Sequence, residues 1–234
     1  MTGMNVGLYR AVAAMRTNQQ RVEVISSNIA NSETVGFKRM LHVAHGSSDW
    51  AQDGDYRQVV TGTRLDLSQG VMQRTGEDLD IALDGPGFFV LDGDRGMTLT
   101  RNGTFSMTEQ GVLVSQDGRP VQWEGSRGVL EWGLGGIKID AGGNVKQQGQ
   151  AVGQIRIVDI VGVDALEPDD TGGYRLTSAG QITESNAIVT QGFQERANTQ
   201  NIDELVELIA AQRAFDSAAQ VFKTINQSYQ RLHR

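Results

Sequence analysis

Residues 201–234 read NIDELVELIAAQRAFDSAAQVFKTINQSYQRLHR. Within them Leu208, Ala211, Phe215, Ala218, Phe222, Ile225, Tyr229 and Leu232 recur at steps that alternate three and four. That is the heptad period, which draws one apolar stripe along a helix and calls for a helical partner, as in a coiled coil. Leu205 joins the same set of interface candidates. Asn201, with Glu204 three residues later, has the spacing of a capping box. No Pro or Gly follows Gly192. At ~1.5 Å per residue such a helix is ~45–50 Å long.

The opening segment repeats this pattern. Leu8, Ala11, Met15, Asn18, Val22, Ile25 and Ile29 alternate three and four, and the other face holds Arg10, Arg16, Gln20, Arg21 and Glu23. The spacing predicts an amphipathic helix over residues 5–31. Asn18 on its seam, and Gln212 on the second helix, are candidates for polar residues that fix register. Two arrangements satisfy both stripes. The helices pair with each other and with copies from neighbouring molecules, or each packs separately on a central domain.

Between the helices the period changes. A polar turn runs over residues 31–39, with Gly36 ending the helical pattern. Residues 40–70 are mixed and rich in Gly, Asp and Ser, with Trp50 and Tyr56 isolated. They read as an extended connector with a strand expected near residues 56–60. From residue 71 to about 183 the pattern alternates at period two, as in Leu79-Asp80-Ile81-Ala82-Leu83, broken by the buried run Phe88-Phe89-Val90-Leu91. Asp84-Gly85, Asp92-Gly93, Asn102-Gly103 and Asp117-Gly118 punctuate it with hairpin signals. Many short strands with closely spaced turns predict an all-β barrel or sandwich. They also account for 29 Gly alongside only 3 Pro. The fold class expected is α+β: long terminal helices paired as a stalk, with an inserted β domain. The expected divisions are residues 1–37, 38–70, 71–185 and 186–234.

Composition excludes several functions. The net charge is −7 and no basic run occurs, so nucleic-acid binding has no electrostatic support. Cysteine is absent, which removes disulfides, Cys-ligated zinc and thiol catalysis. No secretory leader and no membrane-spanning run is legible, so export without a cleaved signal and no direct membrane insertion are expected. The chemical candidates are weak. Asp78, Asp80 and Asp84 have the make-up of a glycosidase pair but lie in a strand-and-turn context. Asp92 to Gly96 opens like a calcium loop and then lacks the closing Glu, since Gly103 stands there. His42 and His45 are three apart, with no third ligand near in sequence. His233 reads as a solvated helix-end charge. Trp50, Trp123 and Trp132 are scattered. No cofactor or metal is expected, and a structural role is favoured over an enzymatic one.

The segment Asn28-Ile29-Ala30-Asn31-Ser32-Glu33-Thr34-Val35-Gly36-Phe37-Lys38 resembles the N-terminal signature of bacterial flagellar rod and hook proteins. The matching positions are Asn28, Ala30, Asn31, Thr34, Gly36, Phe37 and Lys38. Residues 79–91, the stretches from Thr100 to Ser106 and from Gly111 to Val121, and the helix from Glu204 to Phe215 resemble later parts of the same family, in the same order. The size resembles the proximal-rod and distal-rod members with one β domain, and the short chain favours the proximal rod. The departure is Ala197-Asn198-Thr199-Gln200-Asn201, where the family usually has Ser-Asn-Val-Asn.

The resemblance implies a structural axial subunit of the flagellar basal body, in the periplasmic space. Its implied partners are copies of itself, other rod and hook subunits, and the flagellar type III export apparatus. It further implies a hollow helical drive shaft for motility, walled by the terminal helices, with the β domain outside. The rivals are a secreted or phage-type fibre or adhesin with a coiled-coil stalk, and a β-fold glycosidase.

A solitary helix pair buries few large side chains, each worth ~1.5–3 kcal/mol. Against that stands ~1–2 kcal/mol of backbone ordering per residue. The ends are therefore expected to be loosely ordered in the isolated chain and to order on assembly. Amide hydrogen exchange on dilute monomer should show weak protection over residues 5–31 and 202–232. Full protection there without polymer would contradict this expectation.

Overall fold

The computed structural model describes residues 2–46, 59–93, 96–125, 130–162, 165–169 and 172–232. Two compact units divide the chain. One gathers Met1–Ala30, Met40–Asp66 and Thr199–Arg234; the other gathers Asn31–Arg39 and Leu67–Asn198.

In the first unit, helix α1 spans Thr2–Ala30 and helix α2 spans Asn201–Leu232. They run antiparallel. A Cβ placed on Gly7 would lie 3.2 Å from Ile225 Cδ1, Arg21 Nη2 is 3.5 Å from Glu207 Oε2, and Asn28 Nδ2 is 3.2 Å from Glu204 Oε2. Most heptad positions are covered: Ala11, Ile25 and Ala211 are buried, and Leu8, Met15, Val22, Ile29, Leu208, Phe215, Phe222 and Ile225 are half-buried, whereas Tyr229 is exposed. The start of α2 departs from the expected capping box. The Glu204 amide donates to the Gln200 carbonyl at 3.0 Å. Gln200 therefore holds the cap position, and Asn201 is the first helical residue.

Where an extended connector was expected, the chain forms an antiparallel hairpin. Strand Met40–Gly46 pairs with Val59–Leu65, in register from Met40↔Leu65 to Gly46↔Val59. MLHVAHG and VVTGTRL are short and individually ambiguous, and their pairing across the intervening segment is a tertiary choice. The hairpin contacts α1, and the Thr61 hydroxyl is bonded to Gln20 Oε1. Trp50 and Tyr56, and most of the strand expected near residues 56–60, lie outside the described residues.

The second unit is antiparallel β throughout its described strands, so the class is α+β. A six-stranded sheet has the order Leu166–Pro168, Tyr174–Leu176, Gly96–Thr100, Phe88–Gly93, Ile157–Val161, Gln181–Glu184. A four-stranded sheet runs Ile137–Ile139, Asn144–Gln147, Gln150–Ile155, Trp123–Glu124. Strands Gln150–Ile155 and Ile157–Val161 are thus divided between two sheets at Arg156. Ile81–Asp84 was expected to alternate, yet Ile81, Ala82 and Leu83 are all buried, because the strand is covered on both faces. Its partner is Ile188–Gln191, and Met72–Arg74 pairs with Phe193–Glu195. Both partners, Ile188–Gln191 and Phe193–Glu195, lie beyond residue 185, where the β domain was expected to end.

Ile81, Leu83, Phe89, Leu91, Phe105, Leu113 and Trp123 centre the core. Phe89 and Phe105 meet edge to face with centroids 5.3 Å apart. Gly103 is required there by contact: a Cβ would fall 1.7 Å from the Ile81 carbonyl oxygen.

Candidate functional site

The motif singled out in the sequence is built differently in the two units. In the β unit, the Thr34 amide donates to the Asn31 carbonyl at 3.0 Å and the Phe37 amide to the Thr34 carbonyl at 3.3 Å, which closes a polar turn. Gly36 follows at φ +71°, and a Cβ there would sit 2.3 Å from the Asn102 amide nitrogen. No other residue type fits both demands. The Gly36 amide donates to the Glu195 carbonyl at 2.7 Å, and the Phe37 carbonyl accepts from the Asn198 amide at 3.4 Å. The turn is thereby tied by its backbone to residues 195–198.

Lys38 is fully buried. Its ammonium donates to Glu195 Oε1 at 2.7 Å and to the Ser68 carbonyl at 2.6 Å. Glu195 Oε1 also accepts from the Gly70 amide at 2.8 Å, and Arg101 Nη1 lies 3.4 Å from Glu195 Oε2. Arg101 donates to the Gly85 carbonyl at 2.8 Å and stacks over the Phe88 ring at 5.4 Å. Burial lowers the Arg101 pKa, opposed by the field of Glu195. The Tyr174 hydroxyl accepts from the Lys38 amide at 2.8 Å, and its ring meets Phe88 edge to face. Burial pushes the Tyr174 phenol up to about 12; the Lys38 amide opposes the shift and Glu195 adds to it. Two cations around one carboxylate, all three side chains buried, make a holding arrangement.

In the helical unit, Asn28 is buried and turned toward the hairpin. Its side chain accepts from the Met40 amide at 2.8 Å and donates to the Met40 carbonyl at 2.9 Å. The same amide group donates to Glu204, also buried, across the helix pair. Asn28 therefore fixes where the first strand begins and where α2 sits along α1. The register candidates named from the sequence do something else. Asn18 donates to the Ala14 carbonyl of its own helix at 2.9 Å, and Gln212 is exposed. Leu205 and Tyr229 are also exposed, and nothing is described of the Leu232 side chain.

Ala30 and Thr34 are exposed, and Asn31 and Phe37 half-buried. Glu204, Glu195, Arg101, Tyr174 and Asn198 were missed as partners of the motif. A motif lysine signals that an acid is needed, but 28 Asp and Glu residues give no way to choose among them.

The chemical candidates disperse. Asp78 and Asp84 are exposed, whereas Asp80 is buried and accepts from Gln194 Nε2 at 3.0 Å. Asp92 pairs with Met97 in a hairpin. His42 is half-buried on the Met40–Gly46 strand, and nothing is described of the His45 side chain. Trp123 is in the core and Trp132 is exposed; Trp50 and His233 lie outside the described residues. Among the described residues, no three His, Asp or Glu side chains gather in a metal-binding group. No described helix is long and apolar enough to cross a membrane.

The motif turn, the β unit and α2 each match known sequence families. Residues 8–38 match the flagella basal body rod protein family, residues 82–157 the flagellar hook protein FlgE/F/G D1 domain, and residues 190–234 the flagellar basal body rod FlgEFG protein C-terminal family. The flagellar basal-body rod protein FlgF of Caulobacter vibrioides is 31% identical over 226 residues, covering 93% of this chain and 92% of its own. The chain belongs to the flagellar basal-body rod protein family. A second relative, the flagellar basal-body rod protein FlgG of Bacillus subtilis, is 31% identical over 255 residues, covering 96% of this chain and 97% of its own. FlgF of Rhizobium meliloti is 30% identical, with 94% and 93% covered.

For this rod-family chain the buried cluster yields two expectations. Lys38→Met strands the Glu195 carboxylate beside Arg101 alone and should cost the β unit about 3–5 kcal/mol, measured by denaturant unfolding. A cost under about 1 kcal/mol would show that the pair is dispensable. Tyr174 has a folded pKa above its ordinary value of 10.0. Its contribution is therefore complete below pH 10 and lost as pH rises to about 12. Tyr174→Phe should flatten that part of the stability–pH profile relative to the parent chain.

Proposed function

We propose that the chain is a structural axial subunit of the flagellar basal-body rod. It polymerises head-to-tail into a hollow helical shaft that transmits torque and leaves a lumen for export. The observation that carries this reading is the incomplete burial of the helix pair. Eight seam residues, Leu8, Met15, Val22, Ile29, Leu208, Phe215, Phe222 and Ile225, remain half-buried in a single copy. Their remaining apolar surface is available to further helices. A contact between unlike surfaces that does not close generates a helical assembly. Similarity to FlgF and FlgG chains over nearly the whole length supports the same assignment.

Placement in the proximal segment is favoured by the modest length of 234 residues. Passage through the type III export apparatus and residence in the periplasmic space accompany this role. The interface residues are those of the two seams, with Asn28 and Lys38 positioning the chain inside each subunit and acting there as structural residues.

Deletion of the gene should abolish motility and leave basal bodies without a complete rod, seen by electron microscopy; motile cells would refute the assignment. The Phe222 ring is half-buried in one copy. Phe222→Ala should therefore cost the folded subunit less than the ~3–5 kcal/mol of a fully buried ring. It should still fail to restore motility in the deletion strain.

A further inference from the structure

We propose that the apolar face at the start of α2 in one copy seats in the groove beside α1 of a second copy. This rests on the head-to-tail polymer proposed above and names the two surfaces that would build it. Ile202, Leu205, Val206 and Ile209 are 77%, 48%, 63% and 51% exposed. Their spacing is i, i+3, i+4, i+7, the anchor pattern of a helix that lies in a groove. At about 100° per residue they fall on the side of α2 opposite Glu204, Leu208 and Ala211, which face α1. A run of large apolar side chains turned away from α1, the only helix that contacts α2 among the described residues, is a surface awaiting a partner.

The complementary surface is on α1. Tyr9, Val12, Ala13, Arg16, Thr17 and Gln20 form a second stripe on that helix and, with Thr61 of the hairpin, line a cavity of about 330 Å³. Tyr9 and Val12 are 52% and 41% exposed, so the groove has an apolar wall at one end, while Arg16 and Gln20 make the other end polar. Charge matches as well. From residue 2 to 22, α1 carries no acidic residue, and Arg10 and Arg16 lie on its exposed side; at the start of α2, Asp203 is exposed beside Ile202, whereas Glu204 faces α1 and Glu207 pairs with Arg21 of its own chain.

The α2 face cannot fill the groove of its own chain. Gly7 lies beside Ile225 in the antiparallel pair, and the helix between Val206 and Ile225 spans about 28 Å. Val12 and Val206 of one chain are therefore roughly 20 Å apart along the helix axis. The contact joins unlike surfaces of two copies, so it propagates instead of closing into a dimer.

The chain contains no cysteine, so single cysteines report the contact directly. Full-length Val12→Cys and Val206→Cys would be purified and tested by circular dichroism for retained helix. They would then be mixed and oxidised at concentrations where the parent chain sediments as polymer. A disulfide needs Cα atoms within about 7 Å, so it cannot form inside one chain here. The mixed 12–206 product should exceed either self-linked product several-fold. It should drop several-fold with Arg16→Glu on the Val12→Cys chain and recover when Asp203→Arg is added to the Val206→Cys chain. Polymer without the mixed link, or with self-links dominant, overturns this contact and leaves the rod assignment standing. A Val206→Cys link that forms only to another polypeptide in isolated basal bodies overturns the second copy as occupant. A chain that stays monomeric at every concentration overturns both readings.

Discussion

The β unit depends on one carboxylate sealed between two cations. Glu195 meets Lys38 at 2.7 Å and Arg101 at 3.4 Å, and all three side chains are buried. Burying charge is expensive unless every partner is present, so such a cluster specifies an arrangement more than it adds stability. It joins residues far apart in sequence: the turn after the first helix, the strand edge at Arg101, and the last strand before the second helix. The turn residues of the motif then have individual reasons. Gly36 is needed because its φ is positive and its Cβ would strike the Asn102 backbone. Lys38 is needed because Glu195 is already inside.

Asn28 plays the equivalent part in the helical unit. One amide side chain satisfies both backbone groups of Met40 and reaches Glu204. The hairpin and the second helix are thus positioned from a single point on α1. The motif that runs through residues 28–38 serves both units, with Asn28 working in one and Gly36 and Lys38 in the other. That division explains a polar motif at the end of an amphipathic helix without any appeal to catalysis.

The helical seam is of a different kind. Its apolar contacts are graded, from buried Ala11, Ile25 and Ala211 to half-buried Phe215 and Phe222. Two alanines and one isoleucine sit at the closest approach, and the phenylalanines lie at the margin. A packed interior domain would invert that order, because large side chains gain most from complete burial. Incomplete burial is what a subunit needs if its surfaces are to be completed by neighbours.

The two helices, their seams and the all-β character of the middle were legible in the sequence, because periods of 3.5 and 2 are local properties of the chain. So was the motif that places the chain in its family. Three things were not. The hairpin of Met40–Gly46 and Val59–Leu65 was hidden because each strand is short and finds its pairing only against α1. The strands at Ile188–Gln191 and Phe193–Glu195 were hidden because their partners lie more than 100 residues earlier in the chain. The partners of Lys38 and Asn28 were hidden because a sequence states that a buried charge or amide must be satisfied but leaves the choice of partner to the packing. Periodicity fixes elements; only the folded chain decides which distant polar groups complete them.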